Sequence, residues 1–237
     1  MASFFGEVVT PSYRYIDDES PDYTGTNCGV WEVGADLQLE KSLLVITEGD
    51  IAASYAQLWG GVEEVGRLQC RPGQATLPVE VGAGYCLVRC PAGLAAGEQD
   101  SLARALLSLA AAACPVLVLT ARHTSQLAGS SGVAGATLHS LTSKAWPDPL
   151  LCPALPQPAL LAGLPSALLT CAQVSDVSLC TFVCYTDVLT VDSLTVAPFS
   201  VINQLDCVAR AGINKIVDIG AQLCKQKLAT CDNSVYM

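Results

Sequence analysis

Basic residues are scarce in this chain. Its 237 residues carry 12 Lys and Arg against 22 Asp and Glu, a formal net charge of −10. That field repels a phosphate backbone and an anionic membrane, and no run of Lys or Arg reverses it locally, so nucleic acid is not an expected partner. Charged residues of both signs make up only 14% of the chain and hydrophobic ones 51%, the reverse of a disordered composition and enough to bury a sizeable core. A membrane span is also missing. The uncharged stretch from Ala105 to Ala121 falls short of the roughly 20 residues a helix needs to cross a bilayer, and Pro115 divides it into a helix and a strand. Met1-Ala-Ser-Phe-Phe-Gly-Glu has neither the basic flank nor the apolar stretch of a secretory leader.

Histidine is almost absent, with two residues, whereas cysteine is plentiful, with 12. Without a leader the compartment is expected to be reducing and the thiols free. Cys86/Cys90 and Cys180/Cys184 are each separated by three residues, not the two of a zinc knuckle. Cys114, Cys171, Cys180 and Cys184 sit in apolar runs, where a thiol acts as a small hydrophobe. No metal and no cofactor is expected. The motifs GxxxxGK[ST], HExxH and GxSxG are missing. Gly129-Ser-Ser-Gly132 has the wrong spacing for a nucleophile elbow, and Gly82-Ala-Gly84 is a turn between strands with no third glycine.

What the chain does contain is an alternation of helices and continuous apolar strands. Residues 1–28 hold Asp17, Asp18, Glu19 and Asp22 with Pro11 and Pro21, and read as a flexible acidic arm. Ser42 to Thr47 reads as a buried strand, then Asp50 as the N-cap of a helix to Trp59, ended by Gly60-Gly61. Strands are expected at Leu77–Val81, Tyr85–Cys90, Val116–Thr120 and Ser178–Tyr185. Helices are expected at about Glu98–Ala113, Pro165–Val174, after a Thr195 cap with Pro198 in the first turn, and at about Ile213–Leu228. The section between, with small residues at Gly129–Gly135 and five prolines from Pro147 to Pro158, reads as irregular loop. The pattern predicts a single α/β domain over residues 29–228. Its sheet is largely parallel or mixed, with helices on both faces in three αβα layers. Residues 229–237 form a tail.

One arrangement of residues suggests chemistry. Cys184, Tyr185, Thr186 and Asp187 lie where a strand's carboxyl end is expected, the usual place for ligand sites in α/β sheets. His123, just past another strand, would pair with Cys184 as nucleophile and base, with Asp187 orienting the imidazole. This gives an alternative function, a small-molecule enzyme of α/β hydrolase-like or phosphorylase-like class. Against it, a core thiol and a turn aspartate explain the same residues more simply.

Three segments resemble the proteasome assembly chaperone 1 family: the opening Met1-Ala-Ser-Phe-Phe-Gly-Glu-Val-Val; Cys184-Tyr-Thr-Asp-Val-Leu, followed by Asp192-Ser-Leu-Thr-Val and Pro198-Phe199; and the closing Asn233-Ser-Val-Tyr-Met237. Residues 60–110 match poorly, and the family's long basic stretch is missing around residues 10–40. The resemblance implies a non-enzymatic cytoplasmic protein, with the nucleus or association with the endoplasmic reticulum as additional locations. It would pair with proteasome assembly chaperone 2, bind proteasome α-subunits, promote closure of the 20S α-ring and prevent α-rings from pairing. Val235, Tyr236 and Met237 would form the family's hydrophobic-Tyr-any motif, entering a pocket between neighbouring α-subunits. Phe4 and Phe5 on the acidic arm are candidates for a secondary partner contact.

Overall fold

The computed structural model describes residues 29–34, 41–73, 75–110, 114–127, 135–213, 216 and 218–225. The arm with Phe4 and Phe5, most of the Gly129–Gly135 segment, and the tail with Val235, Tyr236 and Met237 lie outside the described residues. Eight strands form one sheet in the order β1-β3-β4-β5-β2-β6-β8-β7. In chain order they are β1 (Val30–Val33), β2 (Leu43–Glu48), β3 (Glu63–Arg71), β4 (Thr76–Val81), β5 (Tyr85–Cys90), β6 (Val116–His123), β7 (Thr137–Thr142) and β8 (Leu179–Thr186).

The centre of the sheet is parallel: β5 pairs with β2, β2 with β6 and β6 with β8. Both flanks turn antiparallel, through β4, β3 and β1 on one side and β7 on the other. Central strands covered on two faces need apolar residues in every position. All of β2 (Leu-Leu-Val-Ile-Thr-Glu) and all of β8 (Leu-Cys-Thr-Phe-Val-Cys-Tyr-Thr) are accordingly buried.

Alternate side chains of these strands feed two cores. On one face Leu43, Val45, Leu117, Leu119, Phe182 and Cys184 meet helices α1 (Asp50–Gln57) and α5 (Asp206–Arg210). Phe199 and Ile202, from the 3-10 segment Ala197–Gln204, complete this layer. On the other face Leu44, Ile46, Val116, Val118 and Leu179 meet α2 (Ala96–Ser108) and α3 (Leu164–Val174). The expected three-layer αβα architecture is therefore what the chain adopts. No helix among the described residues is long and apolar enough to cross a membrane.

Aromatic contacts fix α1 to the sheet. Tyr55 packs between Trp59 and Phe199, and Trp59 meets Tyr85 edge-on. The Tyr55 hydroxyl donates to Asn203 Oδ1 at 3.1 Å and the Tyr85 hydroxyl to the Gly60 carbonyl at 3.0 Å. Gly84, in the β4–β5 turn, is required by proximity: a Cβ there would lie 2.6 Å from the Ala211 carbonyl oxygen.

Several boundaries differ from expectation. Gly49, not Asp50, is the N-cap of α1, and Asp50 lies in the first turn, where its charge still suits the helix dipole. Thr195 is not a cap either. Asp192 caps the short α4 (Ser193–Val196), and Thr195 closes a capping box on it from the third helical position. The final helix starts at residue 219, not at Ile213, because the Asp218 carboxylate accepts from the Ala221 N–H at 2.9 Å.

The section expected to be irregular contains β7, a half-buried edge strand. The proline-rich segment runs along its free side: the Ser140 N–H donates to the Pro153 carbonyl at 3.0 Å, and the Leu155 N–H to the Ser140 carbonyl at 3.0 Å.

Candidate functional site

The parallel strands β5, β2, β6 and β8 end together, and their carboxyl ends hold the polar side chains that the apolar runs exclude. Glu48 is the last residue of β2 and is 4% exposed. Its Oε2 accepts from the Thr120 hydroxyl at 2.8 Å and from Arg122 Nη2 at 2.5 Å, both on the neighbouring β6. Arg122 Nη2 also donates to the Ala162 carbonyl at 3.3 Å, tying the loop before α3 to the sheet. Gly163 follows with φ of 82°, in the left-handed region. A Cβ there would lie 3.3 Å from Arg122 Nη2, so glycine lets this loop close over the ion pair.

Cys90 ends the neighbouring β5 and faces the same region. Burial pushes its thiol upward, and the Glu48 carboxylate adds to the shift. A buried ion pair with a hydroxyl and a carbonyl as further partners is satisfied as it stands. Its arrangement is a structural tie between three chain segments.

The residues singled out for catalysis do not converge. Cys184 is fully buried in the core, and burial pushes its thiol up to about 12. The Sγ donates to the Thr195 carbonyl at 3.7 Å. The parallel register sets Ala121 beside Cys184 and His123 beside Thr186, so His123 lies two residues, roughly 7 Å, further along the strand direction. The imidazole Nδ1 accepts from the Ser125 N–H at 3.2 Å and lies 2.8 Å from its hydroxyl. Asp187 is exposed past the end of β8.

A nucleophile needs a base within hydrogen-bond reach and an accessible, ionisable thiol. Cys184 has neither, because its position on a doubly covered central strand makes it core. The ten described cysteines are all free thiols, and most are buried. Among the described residues no cluster of His, Cys, Asp or Glu is arranged to hold a metal ion.

Beyond Cys184 the chain makes a tight loop. The buried Thr186 hydroxyl donates to the Val188 carbonyl at 3.1 Å. The Asp192 carboxylate accepts from the Leu194 and Thr195 N–H groups, both at 2.8 Å. The Thr195 hydroxyl donates to the Thr190 carbonyl at 2.8 Å and accepts from the Asp192 N–H at 3.1 Å. The conspicuous Cys-Tyr-Thr-Asp-Val-Leu and Asp-Ser-Leu-Thr-Val segments thus build a closed loop, with the thiol as its buried footing.

Sequence reasoning missed Glu48, Thr120 and Arg122 as a unit. The available signal was their position, since Glu48 ends the run Leu-Leu-Val-Ile-Thr and Thr120-Ala-Arg122 follows Val-Leu-Val-Leu.

A family model described as proteasome assembly chaperone 4 matches residues 103–232, more than half of the chain. No curated protein matches the sequence. Among solved structures, Pyrococcus furiosus PbaA, described as an archaeal homolog of proteasome-assembly chaperone, superposes with a TM-score of 0.59 at 10% identity, covering 85% of this chain and 92% of its own. A Thermoplasma acidophilum protein of unknown function gives 0.58 at 11% identity, over 81% and 86% of the two chains. Pyrococcus furiosus PbaB, described as an archaeal proteasome activator, gives 0.50 at 8% identity, over 88% and 98%. At these identities the likeness is one of fold.

Proposed function

Because this chain belongs to the proteasome assembly chaperone family, we propose that it is a non-enzymatic chaperone that binds proteasome α-subunits and promotes closure of the 20S α-ring. It acts as the proteasome assembly chaperone 1 member of a heterodimer with proteasome assembly chaperone 2, in the cytoplasm, and keeps α-rings from pairing off-pathway. The observation that carries this reading is the family match over residues 103–232, which contains the whole loop from Cys184 to Phe199. The inaccessible Cys184 thiol, away from His123 and Asp187, removes the support for the hydrolase-like or phosphorylase-like alternative.

The tail Val235-Tyr236-Met237 is the ring anchor. A terminal carboxylate is a fixed charge that a lysine or backbone N–H groups in a pocket can capture, and such a charge-assisted bond contributes about 1.5–3 kcal/mol. Tyr236 adds a rigid ring with a hydroxyl tip for a partly apolar pocket, and Val235 a small apolar contact. Phe4 and Phe5 make a secondary contact with a partner, from an arm spanning residues 1–28.

Removing residues 235–237 is expected to weaken capture of α-subunits while leaving thermal stability and co-purification with proteasome assembly chaperone 2 unchanged. Undiminished capture in a pull-down with purified α-subunits would refute the anchor. Added salt should weaken the intact chain more than the truncated one, because only the former carries the charge-assisted bond.

A further inference from the structure

Three exposed aliphatic side chains lie within seven residues after β8. Val188 is 47% exposed, Leu189 57% and Leu194 77%, the first two on the β8–α4 loop and the third in α4. Single exposed apolar residues are normal on a protein surface, but a group within seven residues is a patch. The loop is not a loose one. Thr186, Asp192 and Thr195 pin it through the hydrogen bonds already described, so the apolar side chains are held outward before any partner arrives, and little conformational freedom is left to lose on binding.

The near surroundings of the loop are acidic. Asp187 is exposed beside Val188, and the exposed Asp218 lies close by, its Oδ1 3.5 Å from where a Cβ on Gly220 would stand. The loop also sits at the root of the C-terminal helix, residues 219–225. A Cβ placed on Gly220 would lie 3.9 Å from the Cβ of Ser193.

We propose that Val188, Leu189 and Leu194 form a second contact with the same α-ring surface that receives the C-terminal tail, docking in an apolar cleft bordered by Lys or Arg. The inference rests on the tail-docking reading above. Charge decides against a second copy of this chain, because pairing the loop with its own copy brings two acidic surfaces together. Size decides against a free-standing interface. Three aliphatic side chains fall well below the roughly 800 Å² per partner of a stable pairwise contact. As the second of two linked contacts they suffice, because the tail holds the loop at high effective concentration over its cleft. Position allows this. Residues 226–234 separate the helix beside the loop from the tail motif and span at most roughly 30 Å.

The test uses the full chain and purified α-subunit rings, with four forms compared by equilibrium binding: wild type, Leu189→Ser with Leu194→Ser, the chain lacking residues 235–237, and the combination. The serine pair should weaken ring binding by about tenfold without lowering the melting temperature or co-purification with proteasome assembly chaperone 2. Leu194→Lys, at the most exposed of the three positions, repeats the test with a charge that the basic border repels, and should weaken binding further.

Unchanged ring affinity in the serine pair overturns the proposal. So does loss of proteasome assembly chaperone 2, or conversion of a self-associated species to monomer, because either assigns the patch to another occupant. If truncation leaves ring binding intact, the tail anchor falls and the linked loop contact falls with it; if truncation weakens binding and the serine pair does not, only the loop contact falls. The two failures are therefore distinguishable.

Discussion

At one end of the sheet, two neighbouring regions invert the usual placement of charge and hydrocarbon. Beside β2 and β6, a carboxylate and a guanidinium are withdrawn from water; just past β8, three aliphatic side chains stand in it. The first region is closed, since Glu48 and Arg122 satisfy each other and hold the loop at Ala162. The second is satisfied in its backbone and open in its side chains. Stability and availability are thus assigned to different segments. A binding surface can be read from the second region because the first shows what a purely structural use of unusual residues looks like.

That contrast can be broken from the buried side. Arg122→Ala leaves Glu48 as an uncompensated carboxylate and is expected to cost about 3–5 kcal/mol, measured by chemical denaturation. Glu48→Leu with Arg122→Met should recover much of the loss, since a well-packed apolar pair is often as stable as the ion pair it replaces.

The thiol beneath the loop gives a smaller, pH-dependent effect. Burial pushes Cys184 up to about 12, against roughly 8.5 in an unfolded chain. Its contribution to stability is therefore fully present below about pH 8.5 and is lost as pH rises toward 12, at up to about 1.4 kcal/mol per pH unit. Cys86, pushed up to about 12, and Cys207, to about 11, act in the same direction. Cys184→Ala should lose stability less steeply than wild type between pH 8.5 and 10.5. In the folded protein at pH 8, iodoacetamide should label the exposed Cys224 and leave Cys184 unmodified; rapid labelling of Cys184 would contradict its assignment to the core.

Smallest is the effect of the loop's own fastening. Asp192→Ala removes the cap from α4 and should cost about 1 kcal/mol. It should also lower ring affinity without touching an exposed aliphatic side chain, because the patch would lose its fixed geometry. Unaltered affinity would mean that order in this loop is irrelevant to binding.

The central architecture was legible because doubly covered strands leave a strong signal. Val116–Thr120 and Ser178–Tyr185 are continuous apolar runs, and the structure pairs them side by side in the parallel part of the sheet. The outer strands were not legible. β3 reads Glu-Glu-Val-Gly-Arg-Leu-Gln-Cys-Arg with most residues exposed and a bulge between Glu64 and Gly66, so hydrophobic periodicity is diluted there.

β7 was hidden by its polar composition and the prolines that follow it. The Glu48–Arg122 tie was illegible for a different reason, because residues 74 apart meet only through strand order. The Cys184, His123 and Asp187 expectation placed its residues near the right end of the sheet. It failed because side-chain direction on a central strand is set by the two cores, which local sequence does not reveal.

The stitching of Ser140 to Pro153 and Leu155 settles how the sheet ends on that side. Pro153, Pro156 and Pro158 have no N–H to offer an incoming strand, so the outermost layer of backbone is a poor template for another chain. A molecule that presents hydrocarbon elsewhere thus has one flank protected against edge-to-edge growth.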